Sequence, residues 1–542
     1  MDDMRKILLL SYYDLPSHLK TCLLYLSIFP EDYKIEKDWL IWKWVAEGFV
    51  QRASRDQSFL EIGESYFNEL LNRSMIQPAD MDNLEGTPHA CHVHDIMLDF
   101  IISLSVEECF ITTVFDESSQ VRRLSVHNST TWPTLKMPKL RSLTIFKPTN
   151  VDIDPTPSLS CNLLLRVLDL RGCRLEDLAS LGFLGSLSHL PYLGLSTNRD
   201  AGELPVEIGK LKFLQTLDLY EVNGFSELPL GVTACLGQLM CLRSPLIGLG
   251  VTFLSGGLKN LTSLEVLDQV MVTSECIAED LGHLTQLRVL RVIVVAFEDL
   301  KISGNDDDWK VSEKDDDWRA CSNALVESIG KLTKIESLHI GDVAEDRVFI
   351  KTINVDGSME EPLSNLHRLC IMRVEFLPTW IKPALLPGLC YLEISVLTAR
   401  AEDIQVLGTL PCLGHLKFRA DEISAHESCV VVGPDAFPCA VKCDFHYARG
   451  LGLPSMFPRG AMPRLQHFMF SLEPEEFVSG GKFTADDLCL GHLPSLRSVT
   501  VFGSYSRYDE EHTNVMLTSL IKKVEHEAAI HPNAPLDIAY LF

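Results

Sequence analysis

The sequence predicts a compact α-helical domain over residues 1–112 followed by an α/β solenoid, a horseshoe of short parallel strands, over residues 113–542. Two observations predict it. The carboxyl-terminal four-fifths repeat an apolar motif at a nearly fixed interval, and the first hundred residues show helical apolar spacing without that motif. A third supports both: 83 of the 542 residues are leucine, more than one globular core would use.

The repeat has the form apolar-x-x-apolar-x-apolar. It reads Leu165-Arg-Val-Leu168-Asp-Leu170, Leu190-Pro-Tyr-Leu193-Gly-Leu195 and Leu214-Gln-Thr-Leu217-Asp-Leu219, and continues through Leu242, Leu267 and Leu290. The central positions 168, 193, 217, 242, 267 and 290 are 25, 24, 25, 25 and 23 residues apart. Fainter copies centre on Leu124, Leu143, Leu338, Leu369, Leu392, Leu416, Phe468 and Val499, giving fourteen in all. This period and consensus define leucine-rich repeats, in which each core is a strand and the stacked strands line a concave face. Cys173 and Asn198 follow their central leucines by five residues, where a ladder residue would bond turn backbone.

Two intervals interrupt the array. Residues 300–320 hold a tandem echo, Asn305-Asp-Asp-Asp-Trp309 and Lys314-Asp-Asp-Asp-Trp318, read as an acidic, solvated insertion loop. Its consecutive Asp residues lack the alternation and central Gly of a calcium loop. The interval from Leu416 to Phe468 holds Cys439, Cys443 and His446, a spacing too incomplete to assign a metal site.

In the first part, Asp14-Leu15-Pro16 opens a helix with Leu19, Cys22, Leu23 and Leu26 on one face, and Phe29-Pro30 ends it. A second helix runs from Lys37 to Glu47 with Gly48 as its stop. The third carries Phe59, Ile62, Gly63, Tyr66, Phe67, Leu70 and Leu71, and a fourth starts at Asp95 with Met97, Phe100, Ile101 and Leu104 inward. Asp95 reads as the N-cap. His94 beside it could donate to an anion at the positive end of the helix.

Composition narrows function. A net charge of −26, from 48 Lys+Arg and 74 Asp+Glu, disfavours non-specific nucleic-acid or membrane-surface binding. No apolar run approaches the ~20 residues of a spanning helix, and the amino terminus has no signal-peptide core. The 16 Cys are scattered, and Cys22, Cys370, Cys390 and Cys412 read as buried free thiols of a reducing compartment. The expected location is cytoplasmic, with the nucleus as the alternative. No Ser-His-Asp or Cys-His motif supports catalysis, so no enzyme activity is expected.

Three strings carry a resemblance: Cys22-Leu-Leu-Tyr-Leu-Ser-Ile-Phe-Pro-Glu-Asp-Tyr-Lys-Ile35, Leu40-Ile-Trp-Lys-Trp-Val-Ala-Glu-Gly-Phe-Val50 and Val93-His94-Asp95. They resemble successive motifs of the winged-helix subdomain that closes the NB-ARC module of plant NLR disease resistance proteins. The repeats fit the same family, including Leu204-Pro205 and Leu377-Pro378-Thr-Trp-Ile381. The resemblance implies that His94 and Asp95 contact ADP and form a switch. The sequence contains no Gly-x-x-x-x-Gly-Lys-Ser/Thr phosphate loop, so no cofactor is expected in this chain alone, and ADP or ATP is implied only for the full-length family.

The resemblance implies a defence receptor whose repeats recognise a pathogen effector or guarded host protein and fold back to keep the switch off. A coiled-coil or NB-ARC partner is implied as well. Polar strand positions, Arg141, Arg166, Asp169, Gln215, Thr216, Asp218, Arg288 and Arg291, are the residues expected to face a protein ligand. A substrate-recruiting subunit of a ubiquitin ligase and a non-signalling decoy remain as alternatives at this stage.

Overall fold

A computed structural model describes residues 2–52, 54, 57–81, 88–112, 121–127, 137–146, 159, 163–171, 178–197, 204–222, 227–228, 230–243, 252–253, 256–294, 315–341, 355, 357, 359–423, 432–445, 454–472, 489–503, 521–534 and 536–541. Cys173, Asn198, Trp309 and His446 lie outside these residues. The chain divides into two compact units, Met1–Met271 and Val272–Phe542.

The first unit begins with helices α1 (Asp2–Asp14), α2 (Ser17–Tyr25), α3 (Lys37–Glu47), α4 (Phe59–Asn72) and α5 (Asp95–Glu107). Strand β1 (Ile35–Glu36) pairs antiparallel with β3 (Pro88–His92), which pairs antiparallel with β2 (Gln77–Met81). Helix α1 and this three-stranded wing add to the four helices expected. The winged-helix resemblance implies the wing, whereas apolar spacing alone misses it because Gln77-Pro78-Ala79 and Pro88-His89-Ala90 have neither alternation nor β-branched residues.

Local chemistry sets the helix ends. Gly48 closes α3 at φ 81°, a left-handed conformation that glycine adopts without strain. Ser58 caps α4 by accepting from the Leu60 and Glu61 amides while Glu61 reaches back to the Ser58 amide. At α5 the cap is His94, whose Nδ1 accepts from the Ile96 amide at 3.3 Å. This corrects the assignment of Asp95, which occupies the first helical position and places its carboxylate against the positive helix end.

The seven strands that follow in this unit are β4 (Arg123–Val126), β5 (Ser142–Ile145), β6 (Val167–Asp169), β7 (Tyr192–Ser196), β8 (Thr216–Glu221), β10 (Cys241–Arg243) and β12 (Val266–Val272). They pair in parallel in chain order, with Leu124, Leu143, Leu168, Leu193, Leu217, Leu242 and Leu267 aligned in one row. These leucines are 3% exposed or less, so the sequence repeat is the core of a stacked solenoid. Strands β9 (Glu227–Leu228) and β11 (Thr252–Phe253) form a separate parallel pair, and α6 (Leu230–Thr233) lies between β9 and β10 in sequence.

The second unit continues the same plan with β13 (Val289–Val294), β14 (Ser337–Ile340), β15 (Arg368–Val374), β16 (Tyr391–Ala399), β17 (His415–Ile423), β18 (Lys442–Phe445), β19 (His467–Leu472), β20 (Ser498–Gly503) and β21 (Asp537–Leu541). Its central row is Leu290, Leu338, Leu369, Leu392, Leu416, Cys443, Phe468, Val499 and Ile538. Cys443 therefore occupies a core position between Leu416 and Phe468, which closes the interval that looked like a break. Ile538 adds a further repeat. Helices α7 (Glu275–Leu281), α8 (Asp315–Gly330) and α9 (Ala401–Gly408) lie in this unit.

Part of the expected acidic loop is helical. Asp315, Asp316 and Asp317 open α8, and Leu325, Val326 and Ile329 bury its far half. The thiol expectation also needs correction. Cys22 and Cys370 are buried, but Cys390 and Cys412 are exposed, because both sit in the turns that precede strands.

Candidate functional site

Helix α3 reads Lys-Asp-Trp-Leu-Ile-Trp-Lys-Trp-Val-Ala-Glu, and every residue from Trp39 to Glu47 is buried. A helix buried on all sides needs partners on all sides. One partner is α4, where Gly63 lies so close that a methyl group there would come within 2.3 Å of Ile41 Cγ2. The other is the strand face of the repeats.

Each of those strands places one residue, just after its central leucine, in a common column: Ser125, Thr144, Asp169, Gly194, Asp218, Arg243 and Asp268. The helical domain engages this column at Ser125, Thr144, Asp169 and Arg243. Ser125 Oγ donates to the Ile28 carbonyl at 2.6 Å. Lys43 Nζ donates to Thr144 Oγ1 at 3.2 Å and pairs with Asp169 Oδ2 at 2.7 Å, and both members of that pair are 0–1% exposed. Trp39 Nε1 donates to the same carboxylate at 3.2 Å.

Beyond Asp169 the charges alternate. Arg171 spans Asp169 at 3.3 Å and Asp218 at 3.1 Å, and Arg243 spans Asp218 at 3.2 Å and Glu36 at 3.0 Å. Three cations thus meet three carboxylates, and Tyr192 donates its hydroxyl to Asp218 at 3.2 Å. Gly194 leaves room for this arrangement, since a Cβ there would meet Asp169 Oδ1 at 3.0 Å. The Lys43 ammonium and the Arg171 guanidinium each lie 4.1 Å from the centre of the Trp39 ring.

Burial lowers the Lys43 pKa to about 8, with Asp169 opposing the shift. Burial would raise the Asp169 carboxyl, but Lys43 and Arg171 outweigh it and hold the group well below the usual carboxylate range. At neutral pH both are charged.

Around this centre, Arg123 makes a two-pronged bond to Glu47 at 3.0 and 2.9 Å, and Arg166 donates to the Glu47 carbonyl at 2.8 Å. Ser58 donates to Glu265 at 2.6 Å, and Arg52 pairs with the same carboxylate. Phe146 packs among Phe29, Tyr33 and Trp39 with ring centres 5.6, 5.1 and 6.4 Å apart.

The residues expected to face a protein ligand therefore separate. Asp169 meets the chain's own α3 and Asp218 meets Arg171, Arg243 and Tyr192 beside it, at 1% and 0% exposure, and Thr216 is buried as well. Arg166 is exposed yet committed to the end of α3. Arg288 is buried against Glu336 and Gln215 is half-buried, whereas Arg141, just before β5, and Arg291, on β13, are exposed. Lys43, Glu47, Arg171 and Arg243 were missed. The signal was present in Trp42-Lys43-Trp44, because a charge in the middle of an apolar stretch of helix requires a buried partner.

His94 and Asp95 are exposed at the start of α5. Because Nδ1 accepts from an amide, the His94 ring carries its proton on Nε2 and can donate it outward. These residues fit a single phosphate contact. They do not by themselves enclose a nucleotide. Among the described residues no cluster of His, Cys, Asp and Glu could hold a metal, and no helix is long and apolar enough to cross a membrane.

A small winged helix seated on the strand face of leucine-rich repeats defines a repeat protein with an internal docking surface. The family profile described as leucine-rich repeat region matches residues 139–536, and that described as disease resistance protein winged helix domain matches residues 28–101. The rice disease resistance protein PIK6-NP (Oryza sativa subsp. japonica) is 31% identical over 472 residues, covering 77% of this chain and 41% of the relative. The probable disease resistance RPP8-like protein 2 of Arabidopsis thaliana is 34% identical over 316 residues, covering 55% and 34%. A leucine-rich-repeat protein of Leptospira interrogans aligns at TM-score 0.34 and 16% identity, covering 73% of this chain and 92% of that one. The chain belongs to the leucine-rich-repeat disease resistance proteins of plants, and it spans about two-fifths of the length of the first of these relatives.

Proposed function

We propose that the chain works in plant defence as the recognition and restraint part of an NLR-type receptor, without enzyme activity of its own. The repeats bind a pathogen effector or a guarded host protein. The helical domain, held on the first seven strands, keeps the switch off. The division of labour falls near residue 112, and the protein acts in the cytoplasm or nucleus.

The observation that carries this reading is the network of three cations and three carboxylates, buried except at Glu36, joining α3 and Glu36 to β6, β8 and β10. Buried pairs stabilise poorly against apolar packing, yet they specify one docked arrangement and are lost together when one member is removed. That combination suits a restraint that must release. In the same reading His94 and Asp95 contact an ADP phosphate only when the remaining nucleotide-binding residues are supplied by another polypeptide segment, and the isolated chain binds no nucleotide.

The test is transient leaf expression of the nucleotide-binding part of a relative together with this chain. The natural chain should suppress cell death, Asp169→Lys should fail to, and Lys43→Asp with Asp169→Lys should restore part of the suppression. Equal suppression by the natural chain and Asp169→Lys rejects the restraint. Calorimetry of purified chain with ADP should show no binding, and micromolar binding that His94→Ala abolishes rejects the nucleotide statement.

A further inference from the structure

The second unit repeats the strand face of the first with different chemistry. The column just before its central residues runs Arg368, Tyr391, His415, Lys442, His467 and Ser498 on β15 to β20, each residue in register with the next. At ~4.8 Å per strand, Arg368 to His467 spans about 19 Å. This column contains two permanent cations, two imidazoles, a phenol and a hydroxyl, and no carboxylate.

Its surroundings keep the sign. Of the carboxylates one column over, Glu393 is paired with Lys417 at 2.7 Å and accepts from the Tyr391 hydroxyl at 2.9 Å, and Asp444 is 4% exposed. Lys417 and Arg419 lie on β17, and Arg497 directly precedes β20. The His467 pKa is lowered by burial and then by Lys442 and Arg497, as expected where positive charge accumulates. The Arg368 guanidinium lies 4.2 Å from the centre of the Tyr391 ring, which holds its planar fork over the column. Arg368, His415 and Lys442 have partners within the fold, so the sign of the column carries the argument.

We propose that this column on β15 to β19 docks an acidic, extended peptide segment of a partner protein, with carboxylates meeting Arg368 and Lys442. In a chain of net charge −26, a column that holds two permanent cations and no carboxylate is a local reversal, and charge complementarity selects an anionic partner. Arg368 and Lys442 are three strands apart, about 14 Å, the reach of four residues of extended chain. The inference rests on the reading of the repeats as a recognition surface and names the chemistry recognised.

The probes are three fluorescein-labelled twelve-residue peptides on one Gly/Ser frame, carrying four Glu, four Gln or four Lys, plus a twelve-nucleotide single-stranded DNA. Fluorescence anisotropy with the full chain at low salt should show the Glu peptide binding at least tenfold more tightly than the Gln and Lys peptides. Its affinity should fall as salt rises. Arg368→Glu with Lys442→Glu should lose that binding, and the milder Arg368→Gln with Lys442→Gln should lose at least tenfold with an unchanged melting temperature.

Equal binding of Glu and Gln peptides, or affinity unchanged in the glutamine pair, overturns the proposal. Tighter binding of DNA than of the Glu peptide overturns it in favour of a nucleic-acid surface. If replacing Asp306, Asp307 and Asp308 by Asn raises Glu-peptide affinity, the occupant is the chain's own acidic segment and the partner assignment falls. Leaf suppression by the natural chain is read separately, so the recognition reading can stand when the acidic-peptide assignment fails.

Discussion

The Lys43 ammonium and the Asp169 carboxylate meet at 2.7 Å in a setting where neither side chain is more than 1% exposed. They are 126 positions apart in the chain, yet they fix where α3 lies on the repeats. A buried pair of this kind contributes little beyond what apolar packing would, while an orphaned member is expensive. Asp169→Asn or Lys43→Met alone should cost about 3–5 kcal/mol of unfolding free energy in urea titration. Lys43→Met combined with Asp169→Leu should cost less than either single change, and a double cycle that simply adds would refute the coupling.

The proton equilibrium of this pair is measurable. Lys43 has a folded pKa of about 8 against 10.5 for an unburied lysine. From about pH 8 to 10.5 the unfolded chain holds more protons at this group, so its contribution to stability rises with pH across that window. Asp169 has the opposite sense. Its depressed folded pKa contributes stability that is present above its unfolded value of 3.8 and is lost as pH falls through the folded value. Side-chain NMR of labelled lysine should find Lys43 titrating near pH 8, and Asp169→Asn should move that midpoint lower still.

Gly63 separates helix propensity from packing. Alanine is favoured over glycine in a helix by about 1 kcal/mol. At this position its methyl would come within 2.3 Å of Ile41 Cγ2, and overpacking costs about 1–3 kcal/mol. Gly63→Ala should therefore lower the melting temperature, and adding Ile41→Ala should recover part of the loss. An increase for the single variant would show that α3 and α4 part without cost.

Cys443 should behave as a core residue. Its thiol is fully buried and burial pushes its pKa far up, so it is held as an inert thiol. Cys443→Ser buries a hydroxyl in place of that apolar atom and should cost about 1–3 kcal/mol by denaturant titration. A thiol reagent should label Cys390 and Cys412, which are exposed, well before Cys443 in the folded protein.

Leucine spacing revealed the solenoid because period is a property of sequence alone. It lost the repeats centred on Cys443 and Ile538, where the consensus residue is replaced by another buried one. The helices α3, α4 and α5 were legible from their apolar faces and end residues, down to Gly48. The site was read only halfway. Spacing placed Asp169 and Asp218 on the strand face correctly, but it could not say that α3 covers Asp169, because occupancy depends on contacts more than a hundred residues apart.

The column from Ser125 to Asp268 takes one residue from each of seven strands neighbouring in the sheet, and the helical domain reads it as a ruler reads marks. Repeat proteins change by gaining or losing whole repeats. Deleting one between β4 and β12 would slide every later mark by ~4.8 Å and set Lys43, Glu36 or Ser58 against the wrong residue. In this stretch the number of repeats is thus as fixed as any single amino acid, and an insertion that leaves each repeat intact can still unseat the domain that rests on them.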